Sequence, residues 1–218
     1  MYVEAEWDPR NPLGEMNFIA EMRKGGFPTV AIAQAWLHHE DCAALLEAQV
    51  RHPFVRGIRH KPKPGMMDDA QWRRGYARLA PLGLHFELQA PWRQLEEAAR
   101  LARDFPGTAL VLNHTGLPDE HFEAWRTAMG LLAACPNAAV KISGLGNVQR
   151  RREVVLAGIE LFGAQRAMFA SNFPVDGLRG SFHSIFSGFD EFTRGFSAAE
   201  RRALFHDNAV RIYRMEQP

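Results

Sequence analysis

Short apolar runs alternate along this chain with longer segments whose apolar residues recur every three or four positions. The runs cover residues 2–6, 29–34, 55–59, 84–89, 109–113, 139–142 and 167–170. Most hold few charges, as do strands that are buried on both faces of a parallel sheet. Between them lie stripes of helical period. Cys42, Leu45, Leu46 and Val50 form one; Leu95, Ala98, Ala99 and Ala102 form another, with Glu96, Glu97, Arg100 and Arg103 opposite. Phe122, Trp125, Met129 and Leu132 line a third, and Val155, Ile159 and Phe162 a fourth. Pro and Gly punctuate their ends at Phe105-Pro106-Gly107, Cys135-Pro136-Asn137 and Gly163. Ser197-Ala198-Ala199-Glu200 has the spacing of a capping box, opening a helix to about residue 205; a last helix is expected over 208–214.

Strand, helix, strand, repeated without a break, predicts βαβ units and a parallel sheet. An open doubly wound sheet usually carries a Gly-rich phosphate turn after its first strand. Here the first run leads into Glu6-Trp7-Asp8-Pro9-Arg10. The pattern therefore favours an α/β fold of the (β/α)8 TIM-barrel type, as one domain over residues 1–218. A closed barrel of this kind has eight strands, and only seven runs are visible. The expectation is an incomplete barrel that lacks its first strand and helix, truncated at the N-terminus.

Composition removes several classes. The chain has 218 residues, 46% hydrophobic and 23% charged, with a net charge of +1. Basic and acidic residues are interspersed, so no nucleic-acid footprint emerges. No apolar run is long enough to span a bilayer, and the N-terminus does not read as a signal peptide. Two cysteines, Cys42 and Cys135, imply no disulfide framework. A cytoplasmic protein is expected.

Catalytic groups of such barrels sit where strands end. His114, after the fifth run, fits a metal ligand, a general base or a structural tip. Arg59, His60 and Lys61 place cationic or near-cationic groups at the third tip, suited to an anionic or carbonyl substrate or to a solvated loop. Lys141 lies inside an apolar strand, where an unpaired ammonium is costly; it should meet a carboxylate or a substrate, a purely structural pairing with Glu4 or Glu6 being the alternative. Glu4 is read as interior to the first strand. Gln89 and Ser143 end the fourth and sixth runs as candidate substrate contacts. Asn172 can orient a water or carbonyl, and Asp176 can act as a base or cap a helix. His38 and His39 follow a strand but lie near a helix start, His52, His121, His183 and His206 read as loop or helix histidines, and His85 falls at the wrong end of its strand.

Five stretches together carry a resemblance: Val3-Glu4-Ala5-Glu6-Trp7, Val55-Arg56-Gly57-Ile58-Arg59-His60, Leu112-Asn113-His114-Thr115-Gly116, Val140-Lys141-Ile142-Ser143-Gly144-Leu145 and Met168-Phe169-Ala170-Ser171-Asn172-Phe173-Pro174-Val175. Their order resembles the amidohydrolase-2 family, metal-dependent-hydrolase-like barrels that include lactonases of sugar acids and dicarboxylic acids. The resemblance implies lactone hydrolysis or, in other branches, decarboxylation of an aromatic or muconate-type acid. It also implies a His-X-His on the first barrel strand, a His at His114 and an Asp at the position of Asn172. This sequence departs twice: the His-X-His is absent, and an amide that cannot take a proton replaces the carboxylate.

The expected chemistry has His114, Lys141, Asn172 and Asp176 as the catalytic set. Glu4, Arg59, His60, Gln89 and Ser143 would surround a small anionic substrate. A divalent metal such as zinc would belong to a longer form, or to none, since a catalytic zinc takes three protein ligands and His114 is one. A non-catalytic carboxylate binder, or an inactive fragment, is the competing expectation. Unpaired sheet edges leave room for an oligomer.

Overall fold

The computed structural model describes residues 1–215; the last three residues of the expected 1–218 domain lie outside the described residues. Strands and helices alternate as β1 (Tyr2–Val3), α1 (Gly14–Met22), β2 (Ala31–Gln34), α2 (Cys42–Val50), β3 (Val55–His60), α3 (Ala70–Tyr76), β4 (His85–Leu88) and α4 (Leu95–Asp104). They continue as β5 (Leu110–Leu112), α5 (Phe122–Ala133), β6 (Ala138–Ile142), α6 (Arg152–Phe162), β7 (Ala167–Phe169) and α7 (Phe182–Phe192). Then come α8 (Ala198–Arg202), a π-helical turn over Ala203–Asp207 and α9 (Asn208–Ile212).

All seven strands are parallel and pair in sequence order, β1 through β7. Among the described residues no pairing joins β1 to β7. The fold is an incomplete TIM barrel, as the alternation predicts. β1 is shorter than expected, so Glu4 lies just past its end rather than inside it. One rung continues the ladder there, since the Glu4 N–H donates to the Ile32 carbonyl at 3.0 Å.

Period-two alternation sorts the strand side chains onto two faces. Leu110, Leu112, Val140 and Ile142 pack outward against Leu95, Ala98, Trp125 and Val155 of the helices. Ile32, Val111, Ala139 and Met168 form a separate inner cluster with Tyr213, which follows α9. The helical stripes read from the sequence face the sheet: Leu95, Ala98, Ala99 and Ala102 of α4 are all buried. Each large apolar side chain so buried contributes roughly 1.5–3 kcal/mol. The capping box is present at α8, where Ser197 and Glu200 satisfy each other's backbone N–H groups.

Candidate active site

The inner face of the sheet carries a buried ionic network that no strand tip advertises. Glu87 of β4 is fully buried, and its Oε2 lies 2.6 Å from Lys141 Nζ of β6. Its Oε1 accepts a hydrogen bond from the Tyr213 hydroxyl at 2.7 Å and lies 3.3 Å from His85 Nε2. Lys141 thus pairs with Glu87, and not with Glu4 or Glu6, because β4 and β6 both present the pair inward. Burial alone would raise the Glu87 carboxyl; the Lys141 ammonium, helped by His85, outweighs it and holds the group at about 2. Burial also pulls the Lys141 ammonium down, against the opposing pull of Glu87. The fit is close: a Cβ on Gly57 would lie 2.6 Å from His85 Nε2.

At the C-terminal tip of β5 the chain turns sharply. His114, Thr115 and Leu117 all have positive φ, near 50°, a region that side chains other than Gly seldom adopt and that clusters at functional sites. The turn is pinned from α5 by Trp125, whose Nε1 donates to the Thr115 carbonyl at 2.7 Å. His114 Nδ1 lies 2.9 Å from Ser143 Oγ, beyond the end of β6. Gly144 lets the two loops meet, since a Cβ there would fall 2.7 Å from the imidazole. Burial, then the charges of Lys141 and Arg59, lower the His114 pKa to about 4, so the ring is neutral near pH 7. Its Nε2 has no protein partner among the described residues.

The tips of β1, β3 and β4 are tied together. Arg59 pairs with the buried Glu4 through Nε and reaches the Glu4 carbonyl through Nη2. Its Nη1 donates to Gln89 Oε1 at 3.2 Å. Lys61 pairs with Glu6 at 2.9 Å. Beside these pairs opens a cavity of about 270 Å³, lined among others by Arg59, His60, Lys63, His38 and Trp36. His38 and His39, set aside in the sequence as lying near a helix start, stand at this cavity; their position in the loop that follows β2 was the available signal. At β7, Asn172 has φ 51° and donates from Nδ2 to Asp176 Oδ1 at 3.1 Å. The amide that replaces the expected carboxylate therefore holds a buried carboxylate from the following turn.

The sequence-predicted residues thus fall into three groups: Glu4, Arg59 and Gln89; His114 and Ser143; Asn172 and Asp176. His60 lies beside the first, and Lys141 beneath the second. Glu87 was missed, although an acidic residue in an apolar run (His85-Phe86-Glu87-Leu88) carries the same signal as Lys141. Among the described residues no three His, Cys, Asp or Glu side chains gather to hold a metal ion. The charged groups acting most strongly on His114 are Lys141, Arg59, Glu87 and Lys61, three of them cations. The described residues do not by themselves form a zinc site.

The family model described as amidohydrolase matches residues 16–215. The chain belongs to this family. Protein y4mH of Sinorhizobium fredii is 40% identical over 237 aligned residues, covering 99% of this chain and 80% of that protein. An L-fucono-1,5-lactonase of Burkholderia multivorans is 29% identical, covering 78% of this chain and 67% of the lactonase. In structure, the chain is similar to an amidohydrolase from Burkholderia multivorans crystallised with bound zinc. The TM-score is 0.86 at 26% identity, covering 98% of this chain and 82% of that one. No helix among the described residues is long and apolar enough to cross a membrane.

Proposed function

We propose that this amidohydrolase opens the lactone of a sugar acid or dicarboxylic acid in the cytoplasm. The observation that carries the reading is the His114–Ser143 pair: a neutral imidazole at a strand tip, oriented through Nδ1, with Nε2 unpartnered and cations close by. Lactone hydrolysis needs a water to lose a proton as it attacks the carbonyl carbon. It needs stabilisation of the oxyanion, and a proton for the ring oxygen as the C–O bond breaks. His114 accepts the water's proton at Nε2 and returns it to the leaving oxygen. Lys141 and Arg59, each held by a carboxylate yet still acting on His114 as cations, favour the negative charge that develops on the carbonyl oxygen. Glu4 and Gln89 hold Arg59 in place, and Asn172 positions Asp176 at the β7 side of the mouth.

The lactonase relative supports the lactone class, at a distance that leaves the particular lactone open. A divalent metal, as in the zinc-bound relative, would need donors beyond the described cluster, so no step here is assigned to one. The test is turnover of a panel of sugar-acid and dicarboxylic-acid lactones by purified protein, with and without added zinc. Ring opening of at least one, lost in His114→Ala, is the expected result. Release of carbon dioxide from an aromatic acid, with every lactone inert, would replace this reading by decarboxylation.

A further inference from the structure

We infer that His60 and Lys63 form a subsite for a carboxylate of the substrate, with Trp72 fixing His60 as a donor through Nε2. The inference deepens the hydrolase reading and rests on it for the identity of the bound molecule. Its basis is hydrogen-bond logic. His60 closes β3 and is 9% exposed. The Trp72 indole Nε1 lies 3.0 Å from His60 Nδ1, and an indole N–H can only donate. His60 Nδ1 must therefore accept, and a neutral ring then carries its proton on Nε2. Burial, and the neighbouring His38 and His39, keep the ring neutral by lowering its pKa to about 4. Trp72 is itself held, fully buried, between Tyr76 and Phe86. The His38 ring stacks on His60 at 5.6 Å and 14°. Nε2 has no protein partner among the described residues, and His60 lines the 270 Å³ cavity.

Charge counting selects the ligand. Three cations line this cavity, and two are neutralised: Arg59 by Glu4, and Lys61 by Glu6. Lys63 has no carboxylate partner among the described residues, and its charge reaches His38. One free ammonium and one fixed N–H match a single monoanionic oxygen pair, which is a carboxylate. A doubly charged phosphate would leave a charge uncompensated. The subsite therefore favours a lactone that bears a free carboxylate over a neutral sugar lactone.

Two measurements test this. Nitrogen-15 NMR of the histidine rings should show His60 with a pyridine-like Nδ1 and a pyrrole-like Nε2. Calorimetry should show glutarate binding, and glutaramide, its neutral diamide, binding at least about tenfold more weakly. Lys63→Met and His60→Asn should each weaken glutarate by about tenfold. His60→Gln, which keeps a donor near Nε2, should recover most of it, whereas the Asn amide reaches only the Nδ1 position, where its oxygen can accept from Trp72. A pyrrole-like Nδ1, or equal binding of glutarate and glutaramide, overturns the subsite. Glutarate binding that follows this pattern while no lactone is turned over leaves the subsite standing and overturns the hydrolase reading instead.

Discussion

His60 and His114 stand at the tips of β3 and β5, both neutral with pKa values near 4, and they differ in what touches Nδ1. His60 faces an indole N–H, which cannot exchange roles, so its proton is fixed on Nε2. His114 faces a serine hydroxyl, which can donate or accept, so its proton can sit on either nitrogen. A ring with a fixed proton is a recognition element; a ring whose partner adapts can take and return one. Identical residues with equal acidity are thus assigned opposite tasks by one neighbouring atom each.

The sharpest way to break this contrast is substitution at the adaptable ring. His114→Ala should lower kcat by about 10²–10⁴-fold, the range of general acid–base catalysis, whereas His60→Asn should act mainly on KM. Steady-state kinetics on a lactone that the wild type turns over decides it; a KM effect alone at His114 would erase the distinction. The pH profile has a definite sign. The His114 pKa lies below the ordinary value of 6.5, so the active neutral form prevails above about 4. Activity should stay level through neutral pH and fall as the pH drops through about 4.

Beneath His114, on the inner face of the sheet, the Glu87–Lys141 pair is expected to govern stability. Lys141→Met would leave a buried, uncompensated carboxylate, at a cost of about 3–5 kcal/mol. The double substitution Glu87→Gln with Lys141→Met should be less damaging than the single one. Urea unfolding of the two variants beside the wild type measures this; a single-variant loss below about 1 kcal/mol would show the pair to be solvated. A smaller effect belongs to Ser143→Ala, which removes the orienting partner of His114. One hydrogen bond of about 1 kcal/mol corresponds to about a fivefold fall in kcat, and an unchanged kcat would mean that the ring needs no such partner.

The sequence exposes some of this and conceals the rest. Strand order and the helical stripes were legible because burial repeats with a fixed period, as in Leu95, Ala98, Ala99 and Ala102. His114 was legible because it follows an apolar run and precedes a Gly. Which groups pair was not, since pairing depends on how inward positions of non-adjacent strands meet: Lys141 finds Glu87 from two strands away. The fixed proton of His60 was equally hidden, because it depends on a tryptophan 12 residues later in a separate helix. Periodicity reports which face a residue takes, and it carries no information about the atom opposite.

The β7 side supplies the mildest test of the view that one neighbour decides a residue's task. Asn172 donates to Asp176, and its φ of 51° is one that Asp tolerates nearly as well as Asn. Asn172→Asp therefore keeps the backbone and changes only the sign of the interaction, setting two carboxylates side by side. Like charges at this range raise the pKa of one of them in the folded state. A group whose folded pKa is raised contributes stability below its unfolded pKa and loses it as pH climbs through the folded value. The variant should match the wild type near pH 3 and be less stable by about 1–2 kcal/mol at pH 7. Thermal unfolding at both pH values checks it. A variant equally stable at pH 7 would mean that Asp176 turns away from position 172 and that the amide is not what holds it there.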